Sequence, residues 1–404
     1  MNSTPRSNRV HIAIFGRRNV GKSSLINALT NQDIALVSHV AGTTTDPVYK
    51  AMEILPIGPV LIIDTAGIDD EGYVGELRVK KTREVLNKTD IALIVTDSEI
   101  ALGEHEKEIL RLIKEKNIPA IIVLNKSDLS GNSKSTDSVS KIKTHLKTDM
   151  PVVSISSKTK EGIEHLKKKI IETTPKDVEV SLLGNIVKKG DNIVLVTPID
   201  SSAPKGRMIL PQVQTIRAIL DVDAFMMVCK ETELKQVLES LREPPKLVIT
   251  DSQAFKEVKK IVPRNVPLTS FSILYARYKG DLETLIAGAN AVKKLKKGDK
   301  VLIAEGCTHH RQKDDIGTVK IPKWLEKITE AKLEFSYVAG TSFETDLSMY
   351  SLIVHCGACM QNRREMIHRI KIANDYNVPI VNYGVFIAYV NGILDRAIEP
   401  FITT

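Results

Sequence analysis

One short segment near the amino terminus constrains the fold of this 404-residue chain more than any other. A β-branched run, HIAIF at residues 11–15, leads into GRRNVGKS, which fits the pattern G-x-x-x-x-G-K-S/T, and the amphipathic run SLINAL follows. Gly16 and Gly21 let the backbone curl so that its amides face a phosphate group. Lys22 adds positive charge, and Ser23 offers a hydroxyl to Mg²⁺. A strand, a loop and a helix in this order predict a phosphate-binding loop.

The alternation of strand and helix patterns continues to about residue 170. Amphipathic patterns predict helices at residues 23–29 and 104–116. Because parallel strands are usually connected by helices that cover both faces of the sheet, the alternation predicts an α/β domain with a doubly wound, mostly parallel sheet. The β-branched runs that predict its strands lie at residues 11–15, 60–64, 91–96, 120–125 and 151–156.

Three further loops complete the pattern of a guanine-nucleotide site: DTAG, NKSD and SISSK each lie at or just inside the end of a predicted strand. The carboxylate of Asp128 can accept both N1–H and N2–H of guanine, a donor pair that adenine lacks. Asp64 is expected to hold the Mg²⁺ shell through water, with the Gly67 amide facing the γ-phosphate. The predicted contacts to GTP or GDP are Gly16, Asn19, Val20, Gly21, Lys22, Ser23, Ser24, Asp64, Gly67, Asn125, Lys126, Asp128, Ser156, Ser157 and Lys158.

A Gly- and Thr-rich loop, AGTTTDP, lies between the phosphate loop and DTAG. With this loop, the first domain resembles the TrmE/Era-like GTPases, which are related to translation factors. The resemblance implies that Thr44 joins Ser23 as a ligand of Mg²⁺. The family pattern continues GTTRD, whereas this chain has Thr45 in place of the arginine. The catalytic residues that the resemblance implies are Lys22, Thr44, Asp64 and Gly67.

The expected hydrolysis rate follows from the residues around the phosphates. The apolar Ile68 follows DTAG, and no glutamine stands nearby to orient the attacking water. In the resembling group, an asparagine at the position of Asn19 accompanies a potassium ion that assists catalysis. We therefore expect a slow GTPase that potassium stimulates.

The remaining chain contains two further α/β units. The strand and helix pattern loosens near TTPKD, which begins at residue 173, and again at the segment that begins at residue 263. We therefore predict domains at residues 1–172, 173–262 and 263–404. The middle unit is small for an independent hydrophobic core, so we expect a partner subunit to stabilise it as a dimerisation domain.

Three of the four cysteines fall in two motifs of the last unit, C-T-H at residues 307–309 and C-G-A-C at residues 356–359. Both motifs follow closely on a predicted strand. Because the carboxyl ends of the strands line one edge of an open α/β sheet, the two motifs can meet at that edge. Three thiolates with an imidazole or a carboxylate suit Zn²⁺ as well as an iron–sulfur cluster, and the residue types leave both possibilities open.

The complete chain, with its GTPase motifs, its middle unit and C-x-H followed by C-x-x-C, resembles the FeFe-hydrogenase maturation GTPases of the HydF family. The resemblance implies a 4Fe–4S cluster on Cys307, Cys356 and Cys359, which makes the last unit an iron–sulfur cluster domain. The fourth iron ligand stays open between His309, in the C-x-H motif, and Glu305, two residues before Cys307.

The same resemblance implies the biological role. The protein would be a homodimeric scaffold that receives a di-iron precursor from radical-SAM maturases and delivers it to apo FeFe-hydrogenase, with GTP turnover regulating partner exchange. The alternative function is that of an RNA-modification or ribosome-assembly GTPase with a structural zinc in its C-terminal domain. A KH-like GxxG loop with basic flanks would support that alternative, and the sequence contains none.

Charge and hydropathy bear on other partners. The net charge is +8, but the lysine-rich stretches lie in helix-like segments, and the aromatic residues, 4% of the chain, do not interleave with them. No base-stacking surface is predicted, so nucleic acid is not an expected partner. The amino terminus is polar, and no apolar run reaches the roughly 18 to 20 residues of a membrane helix. We therefore expect a cytoplasmic protein without membrane contact.

Overall fold

The chain forms two compact units, Met1–Glu179 and Val180–Thr404, and each is an α/β structure. The computed structural model describes residues 4–31, 47–65, 73–97, 103–129, 140, 144, 149–175, 181–199, 208–306, 315–340, 343 and 346–402.

The first unit is built on one six-stranded sheet. Its strands are β1 Val10–Phe15, β2 Val48–Ile54, β3 Gly58–Asp64, β4 Ile91–Asp97, β5 Ala120–Asn125 and β6 Val152–Ser154. Their order is β2-β3-β1-β4-β5-β6, and all neighbours are parallel except β2 and β3. The predicted mostly parallel sheet is confirmed. The sequence prediction omits β2 because this edge strand is largely exposed or half-buried and lacks the apolar run of the central strands.

Helices cover both faces of this sheet. They are α1 Lys22–Thr30, α2 Tyr73–Asn87, α3 Glu104–Glu115 and α4 Ile163–Thr173. On one face, Leu25 of α1 and Leu166 of α4 lie in a hydrophobic core with the strands. On the other face, Leu86 of α2 and Ile113 of α3 lie in a second core. The loops at the carboxyl ends of the strands therefore stand on a packed scaffold.

The second unit contains two four-stranded sheets, and every strand pair in them is parallel. One sheet comprises β7 Asn192–Val196, β8 Phe225–Cys229, β9 Leu247–Thr250 and β10 Leu268–Ser270, in the order β10-β9-β7-β8. The other comprises β11 Lys300–Glu305, β12 Glu334–Ala339, β13 Leu352–His355 and β14 Ile380–Asn382, in the order β12-β11-β13-β14. The first of these sheets thus extends past residue 263, the predicted start of the third domain.

One hydrophobic core joins the two sheets of the second unit. It includes Val194 and Val248 from the first sheet and Val301 and Ile353 from the second, and all four side chains are buried. None of the helices in the described part of the chain is long and apolar enough to cross a membrane. The helices of this unit are α5 Leu210–Asp221, α6 Leu234–Ser240, α7 Phe255–Ile261, α8 Phe271–Lys279, α9 Leu282–Ala291, α10 Ile321–Thr329, α11 Arg363–Asp375, α12 Tyr383–Val390 and α13 Leu394–Ile402.

Candidate functional site

The predicted phosphate loop connects β1 to α1, as its sequence context requires. Gly16 has φ of 148°, and a Cβ atom there would lie 2.2 Å from the carbonyl oxygen of Val95. Gly21 has φ of 90°, and a Cβ atom there would lie 2.3 Å from the amide nitrogen of Asn125. Neither position accepts a side chain, because both the backbone conformation and the close neighbours exclude one. The two glycines therefore bring the loop close to the ends of β4 and β5.

Lys22 lies at the centre of this loop. Its side chain is buried, and the ammonium donates to the carbonyl oxygens of Gly16 and Arg17, both at 2.6 Å. These bonds hold the charge across the opening of the loop, where the backbone amides of a phosphate site converge. The position suits a cation that contacts the β- and γ-phosphates of a nucleotide.

Ser23 and Asp64 meet at the start of α1. The Ser23 hydroxyl donates to Asp64 Oδ2 at 3.4 Å, and Asp64 Oδ1 is buried without a hydrogen-bond partner among the described residues. Burial raises the pKa of Asp64, and the charge of Lys22 opposes that shift. A hydroxyl and a buried carboxylate oxygen are the hard ligands that Mg²⁺ prefers, so the pair fits the metal.

The side of the site that is predicted to bind the base is organised by Asn125 at the end of β5. Its amide nitrogen donates to the carbonyl oxygen of Val20 at 2.8 Å. Its carbonyl oxygen accepts from the Ser157 backbone at 3.0 Å and from the Ser157 hydroxyl at 2.9 Å. Asn125 therefore connects the phosphate loop with the SISSK loop, and the sequence motifs meet in one place.

Two other residues of NKSD are also fixed by contacts with neighbouring segments. Asp128 Oδ1 accepts a bond of 2.7 Å from the hydroxyl of the fully buried Ser156. Lys126 has φ of 65° and pairs with Asp97, at the end of β4, at 2.9 Å. The carboxylate that is predicted to bind guanine is thus oriented by Ser156 of the SISSK loop.

The remaining nucleotide residues fall into two groups. Asn19, Ser24 and Lys158 are exposed, whereas Val20 is buried. Asn19 has φ of 64°, which asparagine tolerates better than most residues. The predicted site residues that lie outside the described part of the chain are Thr44, Gly67, Cys307 and His309.

An ion pair that the sequence does not indicate supports the phosphate loop. Arg17 donates through Nε to Glu106 Oε2 at 2.9 Å, and the Glu106 side chain is buried. The same carboxylate oxygen accepts from the Gly103 backbone amide at 2.9 Å, which ties the amino-terminal end of α3 to the loop. The partners lie far apart in the sequence, and a single arginine or glutamate in a helical pattern carries no sign of such a contact.

In the second unit, the motif C-G-A-C begins directly after β13, which lies beside β11. The Cys356 backbone amide donates to the Ala304 carbonyl oxygen at 2.8 Å, which continues the ladder between the two strands. The Cys356 sulfur accepts from the backbone amides of Gly306 at 3.0 Å and Ala358 at 3.4 Å. The carboxyl ends of the two strands therefore meet as predicted, and the sulfur is a hydrogen-bond acceptor there.

The chemistry of these groups fits a thiolate-ligated metal. Hydrogen bonds to the cysteine sulfurs are one of the ways in which proteins tune iron–sulfur clusters. Gly306, which precedes Cys307, lies against Gln361, so close that a Cβ atom would be 2.9 Å from the side-chain carbon of that residue. Within the described residues, which omit Cys307 and His309, no group of three or more His, Cys, Asp or Glu side chains is arranged to hold a metal ion.

Glu305 ends β11 and is buried. The Tyr383 hydroxyl donates to Glu305 Oε1 at 3.2 Å. Burial raises the pKa of Tyr383, and the negative charge of Glu305 raises it further, so the hydroxyl stays protonated and remains a donor. A Cβ atom at Gly317 would lie 2.7 Å from the same carboxylate oxygen. Glu305 is therefore enclosed next to the cysteine motifs.

A polar network that the sequence does not reveal lies beneath C-G-A-C. His355 is fully buried, with Nδ1 at 2.8 Å from the Cys356 carbonyl oxygen and Nε2 at 3.0 Å from an Arg369 nitrogen. Because arginine only donates, Nε2 accepts and Nδ1 donates, which defines one neutral tautomer. Burial and then Arg369 lower the pKa of His355 to about 3. Arg369 also donates to Glu365 at 3.1 Å.

Three family models match separate parts of the chain. Residues 182–280 match the Hydrogen maturase F dimerization domain, and residues 283–400 match the Hydrogen maturase F tetramerization domain. The chain belongs to the hydrogen maturase F family. Residues 11–126 match the domain described as 50S ribosome-binding GTPase, which confirms the predicted GTPase domain. The cysteine motif 356–359 lies within the residues that match the tetramerization domain.

The GTPase domain also has curated relatives. The tRNA modification GTPase MnmE of Natranaerobius thermophilus is 38% identical over 164 residues, which are 40% of this chain and 34% of that protein. GTPase Der of Nitratiruptor sp. is 34% identical over 165 residues, which are 40% of this chain and 35% of that protein. This chain thus spans about a third of the length of these relatives. A crystal structure of Aquifex aeolicus Era is 22% identical, with a TM-score of 0.37, and the match covers 62% of this chain and 97% of that one.

Proposed function

We propose that this protein is a GTP-hydrolysing scaffold for the maturation of FeFe-hydrogenase. It would bind GTP and Mg²⁺ in the first unit and a 4Fe–4S cluster in the second. The observation that carries the proposal is the presence, in one chain, of a guanine-nucleotide site and of two domains of the hydrogen maturase F family that include C-x-x-C. The GTPase domain by itself would not favour this function over that of a general GTPase.

In the first unit, each group has a distinct task. Lys22 binds the β- and γ-phosphates, and Ser23 and Asp64, together with Thr44, hold Mg²⁺ and its water shell. The Gly67 amide faces the γ-phosphate. Asp128 selects guanine because its carboxylate accepts hydrogen bonds from N1–H and N2–H of the base. The remaining predicted contacts, among them Ser24, Ser156 and Lys158, surround the nucleotide.

Hydrolysis is slow and is stimulated by potassium. Ile68 cannot orient water, so the rate depends on the charge placed around the phosphates. A potassium ion beside Asn19 would neutralise negative charge that develops in the transition state. Asn19 is exposed at the phosphate loop, where a cation from solution can reach it.

In the second unit, Cys307, Cys356 and Cys359 hold the cluster. When bound, a 4Fe–4S cluster supplies an iron whose fourth ligand can exchange. His309 or Glu305 provides that ligand. Two observations support placing the cluster here: the carboxylate of Glu305 is buried, and the sulfur of Cys356 accepts a hydrogen bond from the Gly306 backbone amide. Both groups lie at the carboxyl ends of neighbouring strands. The cargo is a di-iron precursor, which radical-SAM maturases donate and apo FeFe-hydrogenase receives. GTP binding and hydrolysis regulate these partner interactions in the cytoplasm.

The chain contains a dimerization domain and a tetramerization domain. We propose that strand β8 forms the homodimer interface. It lies at the edge of its sheet, inside the dimerization domain, and it is unusually apolar on its exposed surface. Phe225 is 56% exposed and Val228 is 47% exposed. An exposed apolar edge strand is a natural surface for pairing with a second copy, since its backbone groups can continue the sheet. The tetramerization domain supports a further level of assembly.

The alternative function remains an RNA-modification or ribosome-assembly GTPase with a structural zinc. The name of the MnmE relative, a tRNA modification GTPase, favours its RNA-modification form. One experiment separates the two. The full chain is purified without oxygen and assayed for iron, sulfide and zinc, and then added to apo-hydrogenase with the other maturases. The maturation function requires roughly four irons and four sulfides for each occupied site, together with hydrogenase activation. A zinc-containing chain that activates no hydrogenase would support the alternative.

A further inference from the structure

A buried lysine joins helix α8 to the loop that carries Cys356 and Cys359. Lys279 is the last residue of α8 and is 2% exposed. Its ammonium donates to the carbonyl oxygens of Gln361 at 2.6 Å, Ala358 at 3.3 Å and Cys359 at 3.5 Å. A single side chain thus gathers three carbonyls of the segment that holds both cysteines.

An arginine makes the reciprocal connection. Arg363 is the first residue of α11, directly after the cysteine loop. It donates to the carbonyl oxygens of Tyr278 at 2.7 Å, Gly280 at 3.1 Å and Arg277 at 3.3 Å. These are carbonyls at the carboxyl end of α8, which attract cations because they lack partners within the helix. Each segment thus contributes one cationic side chain that donates to backbone carbonyls of the other: Lys279 from the helix and Arg363 from the end of the loop.

The cysteine loop needs such support because its backbone is unusual. Ala358, between the two cysteines, has φ of 52°, a conformation that few residues with a side chain adopt. This turn aims the amide of Ala358 at the Cys356 sulfur and the carbonyl of Ala358 at Lys279. The Ala358 carbonyl also accepts from the Gln361 backbone amide at 3.1 Å. Without Lys279, the buried carbonyl of Gln361 would lose its 2.6 Å donor, and the loop would rearrange to reach water.

We propose that Lys279 is a positioning residue of the cysteine site, which fixes the Cys356–Cys359 loop in the conformation that binds metal and, with Arg363, ties that conformation to helix α8. The metal part of this inference rests on the proposed iron–sulfur function. Helix α8 lies in the dimerization domain and the cysteines lie in the tetramerization domain. Lys279 therefore connects the dimerization domain directly to the loop that carries Cys356 and Cys359.

The structure offers a matched control for a purely structural role. Arg396 of α13 is also buried, and it also donates to three backbone carbonyls, those of Val262, Pro263 and Val266. Arg396 acts on a different segment of the same unit. Replacing Arg396 with methionine removes a buried cation of the same kind without touching the cysteine loop.

The first test uses the full chain prepared without iron, so that it is independent of any cluster. Hydrogen–deuterium exchange is measured by mass spectrometry on a peptide that spans residues 356–362. Lys279→Met should raise the exchange rate there at least about tenfold, and Lys279→Arg should restore much of the protection. Arg396→Met should raise exchange near residues 262–266 and leave 356–362 unchanged. Parental exchange at 356–362 in the Lys279→Met protein would overturn the proposal.

The second test uses the anaerobically purified or reconstituted chain, with an iron chelator as the probe. Lys279→Met should release iron at least about fivefold faster than the parent, and Arg396→Met should release it at the parental rate. Equal acceleration by both variants would overturn the proposal, because general loosening of the unit would then explain the effect. A parent that binds no iron would contradict the proposed function, whereas the exchange experiment would still decide whether Lys279 positions the loop.

Discussion

The amide nitrogen of Asn125 lies 2.8 Å from the carbonyl oxygen of Val20, to which it donates. Val20 belongs to the phosphate loop, and Asn125 begins the NKSD motif at the end of β5. The oxygen of the same carboxamide accepts two bonds from Ser157. One buried side chain thereby orients the phosphate loop and the loops at the base in relation to each other, before any nucleotide needs to bind.

Replacing this residue should weaken the site and the domain together. Asn125→Ala removes the amide and leaves the Val20 carbonyl buried without its donor, which should cost about 1–3 kcal/mol of folding free energy. We expect a lower melting temperature for the nucleotide-free chain and roughly tenfold weaker GDP binding, measured by thermal unfolding and titration calorimetry. The exposed Asn374→Ala in α11 serves as the control. Parental stability and GDP affinity in Asn125→Ala would contradict this role.

Base selection should depend on Asp128. In Asp128→Asn, an oxygen remains available to the Ser156 hydroxyl, but the second oxygen becomes an amide that opposes the guanine N–H donors. The affinity of the variant for GTP should fall by about 2 kcal/mol, roughly thirtyfold. Xanthosine triphosphate should bind the variant more tightly than it binds the parent. Competition binding measures both changes, with the exposed Asp149→Asn as the control. Unchanged GTP affinity would show that NKSD does not contact the base.

The potassium requirement can be tested without straining the phosphate loop. Asn19 has φ of 64°, so Asn19→Gly removes the side chain and keeps a backbone that glycine adopts readily. The parent should hydrolyse GTP faster in potassium than in sodium, and Asn19→Gly should lose that difference. Asn31→Gly, at φ of 53°, changes a residue of the same conformation at the end of α1 and should retain it. Equal parental rates in the two salts would reject the potassium site.

Dimerisation should fail when the apolar edge of β8 becomes charged. Val228→Lys places an ammonium on a strand whose exposed surface is otherwise apolar, so pairing with a second copy would desolvate that charge. Light scattering should report dissociation of the β8 dimer, and a fragment of residues 1–172 should be monomeric. Leu55→Lys changes an exposed leucine, 76% accessible, in the first unit and should leave assembly intact. A dimeric fragment would place the interface in the GTPase domain.

The two chemistries should be separable by substitution. Cys356→Ala should lose iron but keep GTP hydrolysis within about threefold of the parent, because the nucleotide residues belong to a separate unit. Lys22→Ala should lose nucleotide binding and keep the iron content. Both variants should fail to activate apo-hydrogenase, with iron assays and phosphate release as the accompanying measurements. A Cys356→Ala protein that activates hydrogenase normally would falsify the carrier function.

The sequence predicts those parts of the molecule whose determinants are local. The phosphate loop is one such part, because the positive φ angles of Gly16 and Gly21, 148° and 90°, by themselves favour glycine at both positions. The meeting of β11 and β13 is another, because both strands are apolar runs that end at a cysteine motif, and topology brings their carboxyl ends to one edge.

Contacts between distant residues leave no such signal. Arg17 and Glu106 pair across 89 positions, and each resembles an ordinary surface charge in the sequence. The same holds for Lys279 and for Arg369, which look like solvated helix residues and are in fact buried cations. The sequence also gives no sign that β10 pairs with β9, since a three-residue strand is too short to show a period.

The core that joins β7 and β9 to β11 and β13 makes the two sheets of the second unit depend on each other for folding. A cut between residues 280 and 283, where the two family domains adjoin, would expose buried aliphatic side chains such as Val194 and Val301 on both fragments. Neither half would then be an autonomous folding module. Residues 180–404 should unfold in a single cooperative transition, and truncation studies of either domain would report aggregation of a broken core rather than the properties of that domain.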